Sequence, residues 1–260
     1  MPDGQPDRTE DSLRARYADW YDRHAEGADD HAKFRYHLAR QLQGVPLAGK
    51  RVLEVGCGRG AVALHLALFE GCAHVTALDE TAGEGAPVGV TKVLRDAIRD
   101  FGVARIEVIE ADFMKNALPE GAFDVIIANR ALHHIMESGY ISRDPATRRA
   151  YVGMFERLGA LLSPGGLLSI MEISRLSLWR WSPVKLRQAG IGWDIHPTRG
   201  EWLSVIREAG LETISVRYTV PYPLRRLVPL LATPPAQFLL GPNFVITARR
   251  TARASRGRPA

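Results

Sequence analysis

The stretch "RVLEVGCGRG", Arg51 to Gly60, decides the fold. It opens as an apolar run with one acid in it, Glu54, which has the length and composition of a short buried strand. Three alternating glycines follow, Gly56, Gly58 and Gly60, and then "AVALHLALF", which reads as a helix closed by Gly71. Glycine loses more backbone freedom on folding than any other residue. A cluster of this kind therefore marks a chain that turns tightly or lets something lie against it.

Working outward, the alternation continues. "HVTALD" and "RIEVIEAD" read as strands, with the helix "TKVLRDAIRDF" between them ending at Gly102. "FDVIIAN" is a further strand. "ATRRAYVGMFERLGALL" is a helix with Asp144 as its cap and Pro145 beside its start, and "GLLSIMEI" is a fifth strand. Strands alternating with helices predict a mostly parallel α/β sheet with helices on both faces. The end differs. Thr198 and Glu201 form a capping box that opens a helix stopping near Gly210. "TISVRYTV" and "NFVITARR" then follow with no full-length crossover helix between them, so the seven-stranded sheet is expected to close antiparallel.

Upstream, two helices are expected over roughly 11–26 and 30–43, with Leu13, Tyr17, Trp20, Tyr21, Phe34, Leu38 and Leu42 at helical spacing. The organisation is a disordered leader (1–10), an N-terminal helical cap or lid (11–45), a main domain (46–250) and a basic disordered tail (251–260). Two insertions, near 175–197 and 221–242, fit no strand or helix slot. The first carries Trp179, Trp181 and Trp193, and the second is apolar and broken by prolines. Each reads either as a lid or binding loop or as irregular cover for the core.

Composition narrows the function. No apolar run reaches the ~18 residues of a membrane span. Two cysteines, Cys57 and Cys72, are too few for a disulfide framework and suit a reducing cytoplasm. The formal charge of +5 over 260 residues suggests nucleic acid at first sight, but the last twelve residues hold five arginines and no acid. The body is neutral, which argues against a nucleic-acid partner.

A doubly wound sheet binds its ligand beyond the carboxyl ends of the strands, where the glycine turn lies. Gly56, Gly58 and Ala61 satisfy the looser dinucleotide pattern, with Asp79 at a spacing suited to a ribose. Four other features point to a different ligand. Glu54 lies two residues before the first glycine, where a carboxylate can help hold a cation. Asp112 and Phe113 end the third strand and offer an acceptor and a ring. "SPGG", Ser163 to Gly166, leads into the fifth strand, and the sheet closes antiparallel. As a set, "VLEVGCGRG…VTALD…EADF…FDVIIANRALHHI…LSPGG" resembles the class I S-adenosylmethionine-dependent methyltransferases over roughly 17–250, with a Rossmann-like sheet.

The resemblance implies a set of roles around S-adenosyl-L-methionine. The turn from Gly56 through Cys57 and Gly58 to Gly60 would lie against the methionine end, which Glu54 would orient. Asp79 would take the ribose hydroxyls, and Asp112 the adenine amino group, with Phe113 packed on the ring. The backbone near Asn129 would touch the methionine amino group. Tyr21 and Arg35 would close over the carboxylate, although Tyr21 reads equally well as a core residue of its helix. "ETAGEGAPVGV", after Asp79, is a few residues longer than the family usually has.

Methyl transfer to a hydroxyl needs alignment and a base. His133 and His134 lie beyond the fourth strand, and Glu172 ends the fifth, from where it would orient a histidine. This resembles natural-product sugar and phenol O-methyltransferases. One histidine of such a pair can instead be structural. Among the other histidines, His196 is the best outsider, because it sits in the first insertion. No cluster of acids is present, which predicts no Mg²⁺ or other metal site. The expected acceptor is a small, largely apolar or aromatic molecule, and a homo-oligomer is compatible with the sequence. The rival readings are a methyltransferase of nucleic acid or protein, and a cofactor-binding protein without methyl transfer.

Overall fold

Period-two alternation along the strands divides the core in two. Val52, Val75, Ala77, Val125 and Ile127 face one helical layer, and Leu53, Val55, Leu78, Ile126 and Ala128 face the other. The computed structural model describes residues 10–24, 29–80, 89–136, 138–181, 192–241 and 243–250. The strands are β1 (Arg51–Val55), β2 (His74–Asp79), β3 (Ile106–Glu110), β4 (Phe123–Asn129), β5 (Leu162–Ile173), β6 (Leu211–Tyr218) and β7 (Asn243–Arg250). They form one seven-stranded sheet in the order β3-β2-β1-β4-β5-β7-β6. The pairs from β3 to β5 are parallel, and β7 is antiparallel to both β5 and β6. The strand order reverses between β1 and β4, so the crevice that receives ligands in such sheets opens beyond those two strands.

One layer holds α1 (Glu10–His24), α2 (His31–Leu42), α3 (Ala61–Phe69) and α4 (Val90–Phe101); the other holds α5 (Pro145–Leu161) and α6 (Arg199–Glu208). Local chemistry sets their starts. Asp144 accepts hydrogen bonds from the Ala146 and Thr147 N–H groups, with Pro145 in the first turn of α5. Thr198 and Glu201 close a reciprocal capping box on α6. α1 and α2 belong to the core: Tyr17, Trp20, Tyr21, Phe34 and Leu38 are buried, and the Tyr17 hydroxyl donates to Ala61 O at 2.7 Å. Gln41 pins α2 to the sheet by donating to Ala128 O at 2.9 Å and Ser169 O at 3.2 Å.

The 221–242 insertion is helical, contrary to its reading as irregular. A 3-10 turn (Tyr222–Leu227) leads to α7 (Val228–Leu231) and α8 (Pro234–Leu240). Pro223, Pro229, Pro234 and Pro235 sit in first turns, where their missing N–H is not needed, so they start helices and do not break them. In the 175–197 insertion, Arg175 is buried and donates to Glu201 through a bidentate pair at 2.8 and 2.6 Å. It also donates to Gly139 O and His196 O, which ties both ends of the insertion to α6 and the 138–141 loop. The expected leader and tail, most of "ETAGEGAPVGV" and residues 182–191 lie outside the described residues.

Candidate active site

The turn after β1 is stitched to the end of β2. The Gly56 and Cys57 N–H groups donate to Leu78 O at 2.8 and 3.1 Å, and the Gly58 N–H donates to the Asp79 carboxylate. Gly56 (φ +73°) has no alternative, because a Cβ there would lie 2.3 Å from the Cβ of Ala131. At Gly58 (φ +52°) a Cβ would meet nothing within 4 Å, since the backbone there borders open space. That space is a cavity of about 350 Å³ between the strand ends and the N-terminal helices. Glu54, Gly56, Cys57, Gly58, Asp79, Phe113 and Asn129 all line it, together with His134 on the loop after β4. Tyr21 lines it as well, while being buried and stacked on Phe34 at 4.5 Å. Burial first, then Asp29, pushes its hydroxyl up to about 12.

Glu54 is the electrostatic centre of the cavity. It is buried, and its Oε2 has no hydrogen-bond partner. Burial, reinforced by the nearby Asp79, holds its carboxyl well above the usual range. A buried acceptor without a donor is costly, so this oxygen fits a ligand that brings a donor or a positive charge. Asp79 accepts the Glu80 N–H at 2.8 Å through its second oxygen and faces the same space. The bare Gly58 backbone, the orphaned Glu54 oxygen and the buried Phe113 ring suit the polar and aromatic parts of S-adenosylmethionine.

Four expected site residues are placed differently. Arg35 is exposed on α2 and lines a separate surface groove with Tyr36 and Arg225, so it does not reach the cavity. Gly60 does not line it either; a Cβ there would strike Leu94 at 2.4 Å, so this glycine serves the packing of α3 on α4. Asp112 holds the turn after β3 by accepting the Met114 N–H at 2.7 Å and pairing with Lys115 at 2.7 Å. His133 lies behind the wall that His134 forms. Trp179 and Trp193 are half-buried outside the cavity.

The histidine cluster is built from three segments. His133 Nδ1 lies 2.7 Å from Glu172 Oε2, and Glu172 Oε1 accepts the Leu132 N–H at 3.1 Å. Burial alone would raise the Glu172 carboxyl, but the charge and hydrogen bond of His133 bring it below the usual range. In the neutral ring, an ionised Glu172 assigns the proton of this contact to His133 Nδ1 and leaves Nε2 as the acceptor nitrogen. The His133 ring lies between those of His134 and His196, its centroid 4.0 Å from each and its plane tilted by 42° and 44°. Burial, then His133, pushes His196 down to about 4. Ligand atoms of His133, Glu172 and His196 lie within 4.8 Å of one another, a spacing that a metal ion can span. Both Glu172 oxygens, however, already accept hydrogen bonds.

With this geometry in hand, residues 21–218 match a family described as a methyltransferase domain. The chain belongs to the class I S-adenosylmethionine-dependent methyltransferases. An uncharacterised methyltransferase of Mycobacterium tuberculosis is 38% identical over 134 residues, which cover 52% of this chain and 56% of that one. The match thus spans little more than half the length of that relative. The 27-O-demethylrifamycin SV methyltransferase of Amycolatopsis mediterranei is 31% identical over 196 residues, covering 71% of this chain and 64% of that one. An S-adenosylmethionine-dependent methyltransferase structure from Mesorhizobium loti superposes with a TM-score of 0.59. It is 19% identical and covers 84% of this chain and 98% of the other, so the likeness is one of fold.

Sequence reasoning missed two features of this methyltransferase's cavity. Arg130, the only described non-glycine residue with positive φ (+54°), lines it and pairs with Asp29 at 3.4 Å. Such a backbone is strained for a side-chain-bearing residue and tends to mark functional turns. The only signal available was an arginine directly after an apolar strand. Asn129 was expected to act through its backbone, yet its side chain donates to Gln41 at 3.0 Å and so joins the cavity wall to α2.

Proposed function

We propose that this chain transfers a methyl group from S-adenosyl-L-methionine to a hydroxyl of a small, largely apolar or aromatic acceptor. The observation that carries this reading is the orphaned, buried Oε2 of Glu54 at the foot of a cavity whose other side is formed by the histidine loop. When bound, the cofactor supplies an electrophilic methyl group. Glu54 orients its methionine end, Asp79 accepts the ribose hydroxyls, and Phe113 packs on the adenine. Arg130, braced by Asp29, takes the carboxylate role first assigned to Arg35. Asp112 keeps the adenine amino group as its partner, because its ion pair with the well-exposed Lys115 is worth little and is readily exchanged.

His133 accepts the proton of the acceptor hydroxyl. Glu172 holds its ring in the tautomer with Nε2 free, which is the logic by which a buried carboxylate prepares a catalytic imidazole. His134, on the cavity wall, contacts the acceptor. We read the cluster as a device that positions His133, since a metal would have to displace the Leu132 and His133 contacts of Glu172. The rifamycin relative supports a natural-product hydroxyl as the acceptor.

Calorimetric titration tests the cofactor reading. S-Adenosylhomocysteine is expected to bind and NADH is not. Asp79→Ala should weaken binding by about 1–3 kcal/mol, because it strips a partner from desolvated hydroxyls. Binding of NADH alone would overturn the proposal.

A further inference from the structure

Six large apolar side chains are exposed among the described residues, and five of them sit on the two insertions: Leu176, Leu178, Leu227, Leu230 and Leu239. Leu230, on α7, is the most exposed at 74%. The 3-10 turn that begins at Leu178 packs against α8, which carries Leu239, so the two insertions adjoin there. Single exposed leucines need no explanation, but a concentration of them on two adjoining insertions does.

The 221–242 insertion holds two arginines and no acid, while the first insertion carries the exposed Asp194, which pairs with Arg180 at 3.2 Å. Arg225 and Arg226 are exposed and directly precede Leu227. Arg226 makes no hydrogen bond or ion pair to any described residue. Arg225 lies 4.1 Å over the ring of Tyr222 and borders the groove that Arg35 also lines. Apolar side chains that project among unopposed arginines match a bilayer with anionic headgroups: leucines enter the acyl boundary while guanidinium groups meet phosphates. A second copy of the chain fits less well, because a twofold contact would set the arginines against each other. Nucleic acid would use the arginines and leave the leucines in water.

We infer that the exposed leucines of residues 176–181 and 222–240, with Arg225 and Arg226, dock on an anionic lipid surface. The inference concerns binding and is independent of the transfer chemistry. Co-sedimentation of the full chain with phosphatidylcholine vesicles, with and without phosphatidylglycerol, tests it. Binding should be at least about tenfold tighter on the anionic vesicles and should weaken with added salt. The double variant Leu227→Glu/Leu230→Glu should lose roughly tenfold or more of that affinity. Ile214→Glu, at an exposed apolar position on β6 outside the two insertions, should bind like the wild type. Unchanged thermal melting of the double variant shows that the loss is not one of folding. Three results would overturn the inference: no vesicle binding by the wild type, equal binding by the double variant, or a dimer in solution that the double variant abolishes. The second would leave the charge of residues 251–260 as the whole cause.

Discussion

Two glutamates sit at neighbouring ends of the same sheet, both buried, and their states are opposite. Glu54 on β1 has an oxygen without a partner and a carboxyl raised by burial and by Asp79. Glu172 on β5 has a partner on each oxygen and a carboxyl drawn down by His133. Burial acts alike on both, so the difference lies in what the fold provides nearby. The Glu172 end is finished within the chain. The Glu54 end is unfinished and needs a donor or cation from outside, which is how a binding site differs physically from a positioning device.

The largest effect expected from breaking this contrast is on rate. His133→Ala should lower turnover by about 10²–10⁴ with S-adenosylhomocysteine affinity nearly intact, because His133 lies behind His134 and lines no part of the cofactor cavity. Parallel loss of cofactor affinity would make His133 structural. A loss confined to His134→Ala would move the base to the cavity wall.

The next effect is on stability, read by urea unfolding. Glu172→Gln keeps one acceptor but turns an amide N–H₂ toward a donor, so it should cost roughly 1–3 kcal/mol. Glu54→Gln replaces a carboxyl whose Oε2 the free protein leaves without a partner, and stability should stay within about 1 kcal/mol or rise. The same Glu54→Gln variant should bind S-adenosylmethionine roughly tenfold or more weakly. Equal destabilisation by both substitutions would show that Glu54 is partnered after all.

The smallest effect is a pH slope. His196 is held near 4 in the folded chain, against an ordinary value of about 6.5. The unfolded state therefore takes up the proton first on acidification. Stability is complete above about 6.5 and falls progressively as the pH drops toward about 4. His37, also pushed down to about 4 by burial, contributes in the same direction. His196→Asn should flatten the slope of unfolding free energy between those limits without removing it. An unchanged slope would mean that His196 protonates in the folded state at its ordinary value.

Much of the architecture was legible because its causes are local. Strand and helix periods, the Asp144 cap and the Thr198–Glu201 box depend on residues a few positions apart, and all were read close to their observed limits. The 221–242 insertion was misread because proline was taken as a breaker, while its effect depends on whether it falls in a first turn. Glu201 was read as a cap alone. It also accepts from Arg175 and Ser142, and burial notwithstanding, the Ser142 and Thr198 contacts draw its carboxyl down to about 2. Arg35 was expected at the cavity and is not there, because helical spacing does not say which face of α2 meets the cavity.

By itself the sequence determined the order of elements, the glycine turn after β1 and the kinds of group gathered at the strand ends. These follow from steric and hydrophobic preferences that act over one or two turns of chain. Tertiary structure alone decided which groups meet. It brought the His196 ring from the first insertion to 4.0 Å from that of His133, left the Glu54 oxygen without a partner, and kept five leucines of the two insertions exposed. Burial and pairing depend on segments that are distant along the chain and on the space left between them, and no local pattern encodes that space.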